Sequence, residues 1–287
     1  MFIAAVRSLA TYVAVSLYVL LVAPPGMLLA IAMLSGLVSA RSGCYEVNQG
    51  RYKGLNLDDA AFVPPTNRIG LPPGFPILSE YLQDVGYATA FFGKWHLGNK
   101  SVGGNWAPNR AGWTHFSGEL ANAHDYFDWT KVVDGFVYQA TGYLTTDQVD
   151  DAIDWIQSRD RTWLCYLAVN AAHEPLHAPP AYLHGFTLAN TYPLAGEDPL
   201  PYFHAMIEAL DTELGRLFAH LRATRLLERT LVIVTADHGE SLGEQRYWFE
   251  HGAYAYQSTC RVPLLLRWPA ALPCPGPRSG RVREPVA

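Results

Sequence analysis

The chain has 287 residues, 49% of them hydrophobic, 13% aromatic and only 16% charged. That composition excludes a disordered chain or a coiled coil and leaves room for one large domain, or two modest ones, with a real core. Twenty-six acidic against 21 basic residues give a formal charge of −5, and no Lys/Arg cluster exceeds a pair, so no nucleic-acid partner is expected. Cys44, Cys165, Cys260 and Cys274 show no paired spacing, which excludes a disulfide scaffold and a zinc ribbon.

In chain order, the first feature is a run without Asp, Glu, Lys or Arg from Ser8 to Ala40, longer than the roughly 20 residues that cross a bilayer core. Pro24-Pro25-Gly26 interrupts it. It reads as a kinked membrane anchor, an export signal ending at Val38-Ser39-Ala40, or a mis-joined N-terminus; positive residues flank both ends, so its orientation is not fixed. The expected organisation is an apolar transmembrane or signal segment at 1–42, an α/β domain at 43–270, and a Pro/Arg-rich tail at 271–287.

Beyond that segment helices and strands alternate. Ile77, Leu78, Tyr81, Leu82 and Val85 recur at helical spacing, and Gly86 precedes a strand over 87–92. Thr145-Thr146-Asp147 caps a helix through Val149, Ile153 and Ile156, followed by the apolar run 163–169. A long amphipathic helix carries Met206, Leu210, Leu214, Leu217 and Leu221 on one face, then come strands at 231–235 and 262–266. This alternation predicts an α/β fold with a largely parallel sheet flanked by helices. Residues 103–124 and 175–201 are expected to be long functional loops.

In open parallel sheets ligands bind outside the carboxyl ends of strands. There the sequence puts Gly93-Lys94-Trp95-His96, Asn170-Ala171-Ala172-His173 and Ala236-Asp237-His238-Gly239-Glu240. Three segments each deliver a His, joined by one Lys and one Asp. Such a set suits an anionic substrate, since Lys and His cations stabilise negative charge and Asp with His can hold a divalent metal.

These segments resemble the sulfatase family. Gly86 to Gly98, with Gly93-Lys94-Trp95-His96-Leu97-Gly98, is similar to the family's second signature, and Gly50-Arg51-Tyr52 to its T-G-R-Y. Asn170 to Leu183 resembles N-A-P-H-x-P-x-x-x-P-x-x-Y-L, with Ala172 in place of the first Pro. Thr230 to Gly243 and Arg261 to Pro269 resemble T-L-V-I-x-T-S-D-H-G-E-x-L-G and R-V-P-L-x-x-R-W-P. The resemblance implies an alkaline-phosphatase-like fold and a metal-dependent sulfuric ester hydrolase of the arylsulfatase type. In that family a cysteine in C-x-P-S-R becomes formylglycine, whose hydrate attacks sulfur beside a divalent metal, usually calcium. By matching position Lys94 binds sulfate and the leaving oxygen, His96 helps activate the nucleophile, His173 contacts sulfate or protonates the leaving group, and Asp237 and His238 are metal ligands. His251, in Trp248-Phe249-Glu250-His251-Gly252 where many relatives place a Lys, is expected to touch the substrate.

The chain departs from the family at its start, as an N-terminally incomplete member would. The nucleophile's position falls at Ala40, and Cys44 lacks the Pro-Ser-Arg context, so formylglycine is not expected. The early Asp-Asp metal pair is missing, and Asp58-Asp59 lies on the wrong side of Gly50-Arg51-Tyr52. Calcium takes six to eight oxygen ligands, so the metal site is expected to be incomplete. Three readings follow. The first is a sulfatase with impaired turnover. The second is a membrane-tethered pseudoenzyme that binds sulfated or other anionic ligands. The third is a phosphodiesterase or phosphonate hydrolase of the same superfamily. The expected partners are a small-molecule or glycan sulfate ester and, through residues 8–40, a membrane, with a membrane-anchored or secretory location.

Overall fold

A computed structural model of the chain describes residues 77–97, 103–244, 251 and 256–269. The apolar run 8–40, the boundary at 42/43, Ala40, Cys44, Gly50-Arg51-Tyr52, Asp58-Asp59 and the tail 271–287 lie outside the described residues. Among the described residues, no helix is long and apolar enough to cross a membrane.

Helix α1 (Leu78–Asp84) starts where the Glu80 carboxylate accepts the Ile77 N–H at 3.1 Å, satisfying one of the donors that a helix start leaves open. It leads into β1 (Ala88–Lys94), buried along its whole length. After a short helix α2 (Ala107–Arg110) come β2 (His115–Glu119), β3 (Trp129–Val133) and β4 (Phe136–Ala140). Helix α3 (Leu144–Gln157) precedes β5 (Trp163–Ala168), and the 24-residue α4 (Leu200–Ala223) precedes β6 (Val232–Thr235). Helix α5 (Gln257–Cys260) and β7 (Leu264–Arg267) close the described chain.

Among the described residues, a five-stranded sheet runs β4-β3-β2-β1-β5, and β6 and β7 pair in a second sheet of two. Strand β1 is parallel to both β2 and β5, but β2–β3, β3–β4 and β6–β7 are antiparallel. The expectation of a largely parallel sheet is corrected accordingly: the sheet is mixed. Part of the cause is the two-residue turn Asp134-Gly135, with φ of 44° and 81°, which makes a hairpin in a region where no strands were expected. The expected loop 103–124 is also corrected, since it holds α2 and β2. Residues 175–199 do form an extended loop, broken by one 3-10 turn at Ala181–Leu183. Helix α3 begins at Leu144, capped by the Tyr143 backbone, so Thr145 to Asp147 lie inside its first turn.

Alternation on β1 divides the core. Ala88, Ala90 and Phe92 pack with Val149, Trp155 and Met206 of the helices. On the opposite face Phe91 packs with Trp95, Trp113, Phe116 and Tyr166, stacked on Tyr166 at 4.6 Å between centroids. Helix α4 is tied to α3 by Thr146 donating to Glu213 at 2.7 Å and by an Arg216–Asp150 ion pair. At the carboxyl end of the sheet the strands close tightly. A Cβ at Gly93 would lie 1.9 Å from the Ala168 carbonyl oxygen, and one at Gly118 would lie 1.9 Å from that of Gly93. Only glycine permits this approach, and it sets the spacing of the strand ends just before Lys94.

Candidate functional site

Lys94 is the last residue of β1 and fully buried, and its Nζ has no hydrogen-bond partner among the described residues. Burial pushes its pKa down to about 8, against the pull of Asp237 and then Glu119. His96 follows in a left-handed backbone conformation, φ 45°, which turns the chain sharply at the strand end. Burial, then the nearby Lys94 charge, holds its imidazole well below the usual range.

His173 sits on the segment after β5. Its Nδ1 donates to the Glu174 carbonyl at 2.9 Å, so the neutral ring presents Nε2 as an acceptor. Enclosure by its neighbours, then Lys94 and His251, depress its pKa well below the usual value. Tyr126 Oη donates to the His173 carbonyl at 2.9 Å, and His173 N donates to the Asn170 carbonyl at 2.8 Å. Beside it the buried His177, lowered to about 4 chiefly by burial, bonds the Pro175 carbonyl and the Tyr143 hydroxyl.

Asp237 and His238 lie just past β6, both buried. His238 Nδ1 donates to the Gly239 carbonyl at 2.6 Å, leaving Nε2 without a hydrogen-bond partner among the described residues and 3.3 Å from Asp237 Oδ2. A lone pair and a carboxylate therefore converge on one point. The His251 ring stacks on His238 at 4.1 Å and stands 5.2 Å from the His173 ring, with Nδ1 donating to Glu240 Oε2 at 2.7 Å.

All six residues singled out from sequence thus belong to one cluster: Lys94 is coupled to Asp237, His96 and His173, and His251 bridges His173 and His238. Two details differ from the sequence reading. Among the described residues β6 is paired with β7 and not with β1 or β5. Burial also disfavours the charged forms of His96, His173 and His238, which leaves Lys94 as the cation best placed to face an anion. Sequence reasoning missed Glu119, register partner of Lys94, and Glu240, which orients His251. Glu119 fell in the expected loop; Glu240 was in view beside Asp237 and His238, but its partner was not.

As a test of metal fit, Asp237 and His238 supply two converging donors, while no group of three or more His, Cys, Asp or Glu among the described residues is placed to hold an ion. Two donors do not make up the six to eight ligands of calcium.

The sulfatase family model matches residues 27–284. The chain belongs to the sulfatase family. It is similar to the N-acetylgalactosamine-6-sulfatases of Canis lupus familiaris (24% identical, 84% of this chain and 48% of that protein) and Homo sapiens (24%, 83% and 47%). It also resembles the ulvan-active sulfatase of Formosa agariphila (24%, 71% and 43%). The chain spans about half the length of these curated relatives. Among solved structures it resembles Ps i-CgsB (TM-score 0.65, 20% identical, 92% of this chain and 60% of that one). A second was solved in complex with its substrate D-glucosamine-2-N,6-O-disulfate (TM-score 0.61, 18%, 90% and 64%). The architecture is the alkaline-phosphatase-like sulfatase fold, a mixed sheet flanked by helices.

Proposed function

We propose that the strand-end cluster is the sulfate-ester site of a sulfuric ester hydrolase and that turnover by this chain is impaired. The observation that carries the reading is Lys94, a buried ammonium without a hydrogen-bond partner among the described residues, ringed by neutral imidazoles. A buried unpaired cation is costly, and a bound sulfate oxygen would satisfy it. Lys94 then binds the sulfate and steadies the leaving oxygen, with His173 and His251 beside the ester. The negative charge of a bound sulfate raises His173, so that its proton becomes available to the leaving group only when the ester is present. His96 stands where it would assist the attacking group, and Asp237 with His238 are the donors this segment would offer a divalent cation. The substrate class is a sulfated small molecule or glycan, as the names of the relatives suggest for those proteins. A secretory or extracytoplasmic setting agrees with a relative described as an extracellular sulfatase. Residues 8–40 as a membrane anchor are part of this proposal, tested by resistance of the expressed chain to alkaline extraction from membranes.

Ala40, at the position matching the nucleophile, supports a second reading, a pseudoenzyme that binds sulfated ligands. A positioned nucleophile contributes roughly 7 to 11 kcal/mol to barrier lowering, and a methyl group supplies none. The test is calorimetric binding of an aryl sulfate to the purified full chain, with turnover assayed in added calcium beside His173→Ala. The expected result is binding that Lys94→Met weakens, without turnover above the His173→Ala control. Binding indifferent to Lys94→Met refutes the site; turnover above the control refutes the impairment and directs attention to Cys44.

A further inference from the structure

We infer that His177 is a positioning residue for His173: it ties the segment after β5 to the start of α3 and to Tyr126, and so fixes where the His173 ring stands beside a bound ester. The inference rests on the reading of His173 as an ester-side group. It assigns a role to a position that the segment N-A-P-H-x-P-x-x-x-P-x-x-Y-L leaves open.

The His177 ring is wholly buried, at 0% exposure, and both of its nitrogens are engaged. Nδ1 lies 2.9 Å from the Pro175 carbonyl oxygen and Nε2 lies 3.2 Å from the Tyr143 hydroxyl. A carbonyl only accepts, so Nδ1 carries the proton and Nε2 accepts from Tyr143. Burial brings the His177 pKa down to about 4, so at neutral pH the ring is uncharged and this tautomer persists. With both nitrogens occupied and no surface open, His177 has nothing to offer a ligand, and its effect passes through neighbours. Its ring lies 4.2 Å from that of Tyr126, whose hydroxyl donates to the His173 carbonyl at 2.9 Å. Phe127 and Tyr143 meet it edge to face at 5.5 and 5.6 Å.

Two consecutive carbonyls carry the effect to the His173 ring. The Pro175 carbonyl accepts from His177, and the Glu174 carbonyl before it accepts from His173 Nδ1. Holding the first limits rotation of the second, and the second sets the tautomer of His173. The segment is also anchored at its other end. Gln148 of α3 donates to Asn170 Oδ1 at 2.9 Å, and His173 N donates to the Asn170 carbonyl at 2.8 Å. Tyr143 stands at the N-terminus of α3, so one helix grips the chain on both sides of His173.

The test uses the full chain carrying 15N-histidine. Ten histidines are present, and the His173 ring signals are those lost in His173→Ala. Wild type should show His173 protonated at Nδ1 alone. His177→Phe keeps the aromatic volume but removes both hydrogen bonds. In it the His173 signals should move toward a mixture of tautomers, and inorganic sulfate should bind several-fold more weakly by calorimetry. His177→Asn, whose amide can stand in for the Nδ1 donor, should restore most of both. In the His173→Ala background His177→Phe should weaken sulfate binding no further, a coupling that a merely structural loss would not produce. If His177→Phe does not fold, Tyr143→Phe, which removes only the bridge to α3, is read by the same measures. Unchanged His173 signals in the folded variant overturn the inference, as does failure of His177→Asn to restore them, or an equal loss of sulfate affinity with and without His173. Sulfate affinity indifferent to His173→Ala overturns instead the ester-side reading, and the ring signals, recorded without sulfate, still decide whether His177 positions His173.

Discussion

Replacing both buried charges at once, Lys94→Met with Glu119→Gln, is expected to stabilise the fold while abolishing sulfate binding. Burial brings Lys94 from 10.5 down to about 8 and Glu119 from 4.5 up to about 8. At ~1.4 kcal/mol per pH unit, each displacement corresponds to roughly 3 to 5 kcal/mol. The two are not independent, because each charge already relieves part of the other's desolvation. Exchange of a buried pair for neutral groups of similar volume is therefore expected to yield about 1 to 4 kcal/mol. The sign depends on pH. Glu119, raised in the fold, contributes stability that is complete below 4.5 and lost as pH rises through about 8; Lys94, lowered in the fold, contributes stability that is complete above 10.5 and lost as pH falls through about 8. The pair is thus least favourable near pH 8, where the double variant should gain most over wild type, with the difference shrinking toward pH 5 and pH 10. Urea unfolding at those three values measures it. A double variant less stable than wild type at pH 8, or a difference constant across pH, refutes the reasoning.

His173→Ala should leave the unfolding free energy measured in urea within about 1 kcal/mol of wild type, because the ring is not in the core, while weakening calorimetric sulfate binding several-fold. Tyr126→Phe removes the hydrogen bond to the His173 carbonyl and should cost about 1 kcal/mol; sulfate affinity should fall with it, and a variant that loses stability alone shows that this bond does not position His173. Gly93→Ala meets both the 1.9 Å approach to Ala168 and a φ of 96°, so a loss of more than about 2 kcal/mol is expected in urea.

The elements legible in the sequence are those whose burial leaves an unbroken apolar run: 163–168 and 232–235 match the expected strands closely. Strand β1 runs on through Gly93 to Lys94, past its expected end, because a buried lysine does not look like strand interior. Strand β2 escaped because His115-Phe116-Ser117-Gly118-Glu119 has a single large apolar residue, its small members serving close approach rather than hydrophobicity. The β3–β4 hairpin had a signal in Asp134-Gly135 between alternating residues, which the loop assignment of the preceding stretch obscured. Strand β7 starts two residues later than expected, after Pro263, which lacks an N–H and whose carbonyl instead accepts from Thr235 Oγ1 at 2.8 Å. At the site, residues carrying chemistry stood in contiguous motifs, whereas Glu119, Glu240, Gln148 and Tyr126 act through partners far away in the chain.

The cluster draws on positions from Lys94 to His251, and the strand that carries Lys94 is registered against β5 by pairs such as Ala90 with Cys165, which lie far apart in the chain. Long-range pairings of this kind form late, after the cost of closing large loops has been met. On the proposed role of the cluster, sulfate affinity would read out chain completion: a nascent or proteolysed product that stops short of His251 would hold secondary structure yet lack one side of the cluster. Protection from limited digestion by added sulfate should accordingly mark fully assembled molecules within a heterogeneous preparation.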